Sequence, residues 1–171
     1  DGSLLSAAIG TYDDRIGHNA MVEVFDLGDG LKVRSAKAIK AADDLLGMWA
    51  MSFSPEGDRI FVPSQSQNRS GIRAFAPTTG NSLWAQGGFS SYWVRALSVS
   101  PNGDVVATGD EKGYLRIWDA KSGSLLAERQ VGLVIQSLAF SSDGHEIAIG
   151  LWNSQIGIVV VDKLFRRSDI T

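Results

Sequence analysis

The feature that most constrains this chain is a unit of short strands and glycine-bearing turns that recurs along its 171 residues. The unit is clearest at residues 94–126, where three runs rich in β-branched or aromatic residues are each bounded by a turn signal. The apolar residues that end the third run of each unit are Phe25, Phe75, Trp118 and Val161, which stand 50, 43 and 43 residues apart. The glycines of the turn after each first run are Gly2, Gly57, Gly103 and Gly144. Two sets of markers in the same phase indicate a repeat protein.

A period of about 40–45 residues that holds about four strands is typical of the blades of a β-propeller. Each blade of such a fold is a small sheet that buries its faces only against its neighbours. The sequence therefore predicts an all-β chain, a partial β-propeller of about four radially arranged four-stranded antiparallel sheets. The predicted blades of this single, incomplete domain lie at about residues 3–38, 49–86, 94–130 and 135–168.

Three segments depart from the compact third unit. Residues 10–20 are polar and are predicted to form a long exposed loop between strands at 4–9 and 21–26. In the fourth unit Val161 lies 11 residues after Gly150, whereas in the third unit Trp118 lies 9 residues after Gly109. The sequence therefore predicts a hairpin that is two residues longer in the fourth unit. The aromatic segment at 89–93 either fills a seam between blades or anchors a partner.

The strings ALSVSPNGDVVATG, GYLRIWD and SLAFSSDGHEIAIG resemble repeats of the WD-repeat β-propeller family, and AMSFSPEGDRIFVP with GIRAFA is similar but more degenerate. The resemblance covers nearly the whole chain and implies a fold rather than an activity. Members of that family often carry a Gly-His pair before each first strand and an aspartate in the turn after the second strand, linked to the Trp through hydrogen bonds. This chain has no such pair before Trp49, Val94 or Ile135, and Lys112 stands where the aspartate is expected. We therefore expect packing, rather than that polar network, to hold the blades together.

A propeller of this family usually closes with about six to eight blades, on the order of 300 residues. Four units would leave the ring open, and the first unit begins inside the turn that follows a first strand. We therefore expect the chain to be one part of a larger or split propeller. Its expected partner is another protein or another part of the same propeller, with self-association that closes the ring as a further alternative.

Composition narrows the classes of partner. The net charge of −3 and the pI near 5.3 argue against a nucleic-acid partner, because neutralising phosphates needs a clustered basic surface. No run of about 18 apolar residues occurs, so the chain is expected to be soluble and to have no membrane partner. The absence of cysteine excludes disulfides and thiolate metal sites within the chain. A cytoplasmic location is expected.

Candidate partner-binding residues follow from aligning the units. The resemblance implies that the start of each innermost strand and the tip of each second strand face one rim, where partners are commonly met. The segments SFSP, SVSP and AFSS place Trp49, Arg95 and Gln136 at the strand starts, and the strand tips then carry Gln65, Glu111 and Trp152. Trp and Arg are among the residue types enriched at binding hot spots.

The sequence offers no catalytic constellation. Its two histidines, His18 and His145, fall in different units, and no nucleophile elbow, phosphate-binding glycine loop or His-x-x-x-His spacing occurs. Asp13, Asp14 and His18 share one connection, but they are too few for a calcium loop, so a solvated loop is favoured over a metal site. We therefore expect no cofactor, no metal and no enzymatic activity, and a protein-interaction scaffold that presents its rim to a partner. The alternative is a ligand-binding or enzyme-associated propeller whose site is completed outside this chain.

Overall fold

The computed structural model describes residues 4–13, 17–27, 33–40, 50–66, 69–90 and 93–165. Within these ranges the regular structure consists of β-strands and one short 3-10 helix. The chain divides into two compact units, Asp1–Ser91 and Tyr92–Thr171. Each unit contains two antiparallel sheets, whose strands follow one another in chain order.

The four sheets are numbered along the chain. Sheet I contains β1 (Leu4–Asp13), β2 (Gly17–Leu27) and β3 (Val33–Lys40). Sheet II contains β4 (Ser52–Phe53), β5 (Ile60–Ser66), β6 (Arg69–Phe75) and β7 (Ser82–Ser90). Sheet III contains β8 (Val94–Val99), β9 (Val105–Asp110), β10 (Tyr114–Asp119) and β11 (Leu125–Gln130). Sheet IV contains β12 (Ile135–Phe140), β13 (Glu146–Leu151) and β14 (Ile156–Val160), followed by the 3-10 helix Val161–Lys163. The predicted all-β meander is confirmed, although sheets I and IV have three strands among the described residues.

The prediction of a long loop at residues 10–20 is wrong. β1 runs to Asp13 and β2 starts at Gly17, and these two residues are paired across the ribbon. His18 lies within β2, and Asp14 lies outside the described residues. A polar segment can extend a strand wherever its backbone N–H and C=O groups are paired, because that pairing does not depend on an apolar side chain.

The turn after the first strand has the same construction in sheets II, III and IV. The hydroxyls of Ser54, Ser100 and Ser141 accept a hydrogen bond from the backbone N–H five residues later, at 3.0, 3.0 and 2.9 Å. Each turn also contains a glycine with positive φ, and the values are 71° at Gly57, 75° at Gly103 and 75° at Gly144. Glycine adopts this left-handed conformation with little steric cost. The glycines that repeat in the sequence therefore reflect a backbone requirement of this turn.

The choice of Val161 as the marker of the fourth unit is wrong by two residues. Trp118 pairs with Val106 in sheet III, and the equivalent residue of sheet IV is Val159, which pairs with Ile147. Val161 belongs to the 3-10 helix. The β13–β14 hairpin therefore has the same length as the β9–β10 hairpin. Three consecutive valines end this segment, so the sequence does not show which of them occupies the marker position.

Sheets III and IV share a hydrophobic core. Its buried members are Ala96, Ala107, Leu115, Ile117, Ile135, Ile147, Ile149 and Val161. Full burial of one Leu or Ile side chain stabilises the fold by about 1.5–3 kcal/mol. The sheets approach each other closely at Gly109, where a Cβ atom would lie 2.3 Å from Cγ2 of Ile135. The missing side chain at this position allows the two sheets to come into contact.

Candidate functional site

The structure places four of the six predicted rim residues at one end of the unit Tyr92–Thr171. These four are Arg95, Glu111, Gln136 and Trp152. At this end β8 and β12 begin, and the β9–β10 and β13–β14 hairpins turn. Leu133, in the loop between β11 and β12, lies at the same end, and we call these five residues the rim. Trp49 lies outside the described residues, and Gln65 lies in β5 with its side chain outside them.

Arg95 and Gln136 occupy equivalent positions in neighbouring sheets. Each sits where the pairing of the first strand with the second strand shifts register, so each is the extra residue of a β-bulge. A bulge bends the strand and redirects the side chain that it carries. The two residues that the sequence repeat aligned therefore also share one backbone geometry.

Glu111 and Trp152 are equivalent in their backbone contacts. The N–H of Glu111 donates to the carbonyl of Trp93 at 3.1 Å, and the N–H of Trp152 donates to the carbonyl of Val134 at 3.0 Å. In both sheets the acceptor is the residue immediately before the innermost strand. One backbone hydrogen bond in each sheet therefore holds the hairpin tip beside the strand start.

An ion pair joins a strand start to a hairpin tip. Nε and Nη2 of Arg95 lie 2.8 and 2.6 Å from Oε1 of Glu111, and both side chains are partly buried. A pair of this exposure contributes about 0–1 kcal/mol to stability. A carboxylate of a partner would have to compete with Glu111 for Arg95, so this part of the rim does not present an uncompensated charge.

Gln136 contributes a polar group that is not satisfied. Its Nε2 atom is buried and has no hydrogen-bond partner among the described residues. A buried donor without an acceptor costs about 1–3 kcal/mol.

Trp152 is the most exposed of the rim residues, at 69%. The hairpin that carries it is closed by two hydrogen bonds, from the N–H of Leu151 to the carbonyl of Gln155 at 2.9 Å and from the N–H of Ser154 to the carbonyl of Leu151 at 3.1 Å. Ser154 has a φ of 64°, which is uncommon for a residue other than glycine. The indole is therefore carried on a well-defined turn. Leu133 adds a second exposed apolar side chain at the same end.

An ionic network lies within sheet III, in addition to the apolar packing between sheets III and IV. Nη1 of Arg116 lies 2.7 Å from Oδ2 of Asp110, and Nε of Arg116 lies 2.6 Å from Oε2 of Glu128. Oδ1 of Asp110 accepts the backbone N–H groups of Lys112 and Tyr114 at 2.8 and 3.0 Å. Asp110 therefore shapes the turn two residues before the position where the aspartate was expected.

The indole of Trp118 belongs to the same face of sheet III. Its Nε1 donates to Oγ1 of Thr108 at 2.8 Å, and both residues are buried. Thr108 and Asp110 alternate along β9, and Arg116 and Trp118 alternate along β10. That spacing of two places all four side chains on one face of the sheet. The spacing was present in the sequence and could have predicted the network.

The described part of the chain contains no group of three or more His, Asp or Glu side chains placed to hold a metal ion. None of its helical segments has the length and hydropathy that a membrane span requires.

Residues 81–119 match the family model described as WD domain, G-beta repeat. The small ribosomal subunit protein RACK1y of Oryza sativa subsp. japonica is 28% identical over 116 residues, which cover 64% of this chain and 34% of that protein. Subunit I of eukaryotic translation initiation factor 3 from Pyricularia oryzae is 26% identical over 116 residues, which cover 66% of this chain and 33% of that protein. The chain thus spans about a third of the length of these curated relatives.

Two solved structures have a similar fold. The structure of U3-55K aligns with a TM-score of 0.61 and 20% sequence identity, and the match covers 72% of this chain and 41% of that one. The WD40 repeats of RRP9 align with the same TM-score and identity, and the match covers 72% of this chain and 40% of that one. At this level of identity the likeness shows the β-propeller fold alone, and the predicted fold class is confirmed.

Proposed function

We propose that this chain, which has the β-propeller fold and a segment that matches a WD-repeat model, is a protein-interaction scaffold whose rim binds a partner protein. The observation that carries the proposal is the exposure of Trp152 on a well-defined hairpin of the unit that also holds the Arg95–Glu111 pair. Trp and Arg are the residue types that most often dominate the binding energy of an interface. Leu133 extends the apolar surface.

The matched relatives suggest the kind of partner. By name they are a small ribosomal subunit protein and a subunit of a translation initiation factor, which are both components of larger assemblies. We propose that this chain likewise binds a protein component of an assembly, and that it does so in the cytoplasm. The assignment of blades to residue ranges and the absence of enzymatic activity stay predictions.

The test compares the wild-type chain with Trp152→Ala in affinity capture from a cell extract, with captured proteins quantified by mass spectrometry. Truncation of a hot-spot tryptophan costs at least about 2 kcal/mol of binding energy, so affinity should fall roughly 30-fold. Leu83→Ala is the matched control, because Leu83 is another exposed apolar residue, 47% exposed, in the other unit of the chain. Unchanged capture by Trp152→Ala, with unchanged thermal melting, would show that the rim is not the partner surface.

A further inference from the structure

The turn between β8 and β9 contains Asn102 followed by Gly103, and none of the other four asparagines of the sequence precedes a glycine. An asparagine in this setting is chemically reactive, because glycine has no side chain to hinder attack by its own backbone nitrogen. In that reaction the nitrogen of Gly103 forms a bond to Cγ of Asn102, and the side-chain amide leaves with the proton of that nitrogen as ammonia. Water then opens the cyclic imide at either of its two carbonyls and gives aspartate or isoaspartate. In an unfolded chain the pair therefore reacts with no reagent other than water.

The folded turn holds every group that takes part in this reaction. The attacking N–H of Gly103 donates to the carbonyl of Ser100 at 2.9 Å. The leaving amide of Asn102, Nδ2, donates to Oδ2 of Asp104 at 2.7 Å. Oδ1 of Asn102 accepts the hydroxyl of Ser100 at 2.7 Å and the backbone N–H of Asp104 at 3.2 Å. The nucleophile, the leaving group and the carbonyl that is attacked are therefore all engaged in the native turn.

The attack requires these contacts to break. The nitrogen of Gly103 must lose its proton, and donation to the carbonyl of Ser100 keeps that proton in place. Cγ of Asn102 becomes tetrahedral as the new bond forms, so Oδ1 and Nδ2 must leave the positions in which their hydrogen bonds hold them. A reaction of this kind proceeds from a locally opened state, and its rate follows the population of that state.

We propose that Asn102 is a latent deamidation site, which the native turn keeps unreactive and which reacts when the turn opens. Asn102 is exposed, so water can reach the imide once it has formed. The turn follows β8, at the end of that strand opposite to the rim, and the proposal does not depend on the proposed function.

The equivalent turn of sheet IV shows what the aspartate product would meet. Asp143 stands in the place of Asn102, and its Oδ1 accepts the hydroxyl of Ser141 at 2.6 Å and the backbone N–H of His145 at 3.0 Å. A carboxylate therefore fits the acceptor contacts of this position. In sheet III the residue two positions on is Asp104 instead of a histidine, and its Oδ2 would face the new carboxylate in place of the amide. Because two carboxylates that close repel each other, deamidation should weaken the turn and increase its opening.

The first experiment compares the deamidation rate of the folded chain with that of the chain unfolded in guanidinium chloride, at one pH and temperature. The tryptic fragment 96–112 contains one asparagine, and mass spectrometry of this fragment measures the conversion. Four hydrogen bonds must open in the folded chain, so its rate should be lower by at least roughly 30-fold. Equal rates in the folded and unfolded chains would overturn the proposal.

Variants of the turn test whether these contacts provide the protection, which is the ratio of the unfolded rate to the folded rate of the same variant. Ser100→Ala removes the hydroxyl that donates to Asn102 and that accepts the N–H of Val105, and its protection should fall roughly tenfold or more. Ser141→Ala is the matched control, because it removes the same hydroxyl from the turn of sheet IV. It should leave the protection of Asn102 unchanged, and an equal fall in both variants would show that global unfolding governs the reaction and that the proposal is wrong.

Asp104→Ala keeps the test valid if Ser100→Ala, at a buried position, does not fold. Asp104 is exposed, and its backbone carbonyl still accepts the N–H of Ala120. The variant loses the acceptor of the leaving amide of Asn102, so its protection should fall roughly fivefold. Circular dichroism checks that the variant is folded. An unchanged protection in folded Asp104→Ala would contradict the role of the turn contacts and overturn the proposal.

Discussion

Sheets III and IV have the same register but opposite chemistry on one face. In sheet III, Thr108 pairs with Arg116, and the face that they share is hydrogen-bonded and ion-paired. In sheet IV the equivalent pair is Ile149 with Gly157, and Val159 stands in the place of the tryptophan. The serine-glycine turn that precedes the second strand is the same in both.

The comparison shows that the turns and the register are needed in each of these two sheets, whereas the chemistry of one face can vary. The turns and the register recur because they set where each strand begins and which side chains share a face. The face itself can be filled by a satisfied polar network or by apolar packing, since both avoid a buried polar group without a partner. The two kinds of face should therefore contribute differently to the free energy of unfolding.

The largest loss of stability is expected when the polar face of sheet III is disrupted. Asp110→Ala removes the buried counter-charge of Arg116, which is only 3% exposed, and the acceptor of two backbone N–H groups. Removing one partner of a buried ion pair destabilises a protein by about 3–5 kcal/mol, and because Arg116 keeps its pair with Glu128, the loss should lie at the lower end of that range. Leu151→Ala, at the equivalent position of sheet IV, removes a partly buried aliphatic side chain and should cost less than about 2 kcal/mol. Urea denaturation of both variants measures the difference, and equal losses would mean that the network is no more important than packing.

An intermediate effect is expected at the glycine where sheets III and IV touch. A methyl group from Gly109→Ala would lie 2.3 Å from Cγ2 of Ile135, a branched and fully buried side chain that has no room to move. Overpacking of this kind costs about 1–3 kcal/mol.

Gly150→Ala is the matched control, because its methyl group would meet Oγ of Ser137, an exposed side chain that can rotate, at 2.3 Å. Its cost should stay under about 1 kcal/mol. Thermal melting compares the two variants, and a larger loss for Gly150→Ala would contradict the close approach of the sheets at Gly109.

The smallest effect concerns two turn carboxylates. The hydroxyl of Ser122, 2.7 Å from Oδ1 of Asp119, lowers the pKa of Asp119 below its ordinary value of 3.8, and the hydroxyl of Ser141 lowers the pKa of Asp143 in the same way. Because the pKa is lower in the folded state, each group contributes stability that is present above its unfolded pKa and is lost as the pH falls through its folded pKa. Ser122→Ala should raise the pKa of Asp119 toward the ordinary value and leave that of Asp143 unchanged. Carboxyl-carbon NMR titration measures both, and an unchanged pKa of Asp119 would contradict the assigned cause.

The sequence repeat predicted which residues lie at the rim, apart from Leu133. The alignment placed Arg95 and Gln136 in equivalent positions because both precede the same serine turn at the same distance. Their contacts could not be predicted, since the pairing of Arg95 with Glu111 depends on how the hairpin tip meets the strand start. That contact joins residues 16 positions apart, beyond the reach of any local pattern.

The sequence by itself determined the all-β fold, the repeat and the position of the glycine turns, because strand alternation and positive φ are local properties of a few consecutive residues. Only the tertiary structure decided that Val159 rather than Val161 takes the place of Trp118, and that Asp110 and Arg116 are buried together. These properties depend on which strands pair and which faces meet, and such pairings are set by the burial of side chains from distant parts of the chain.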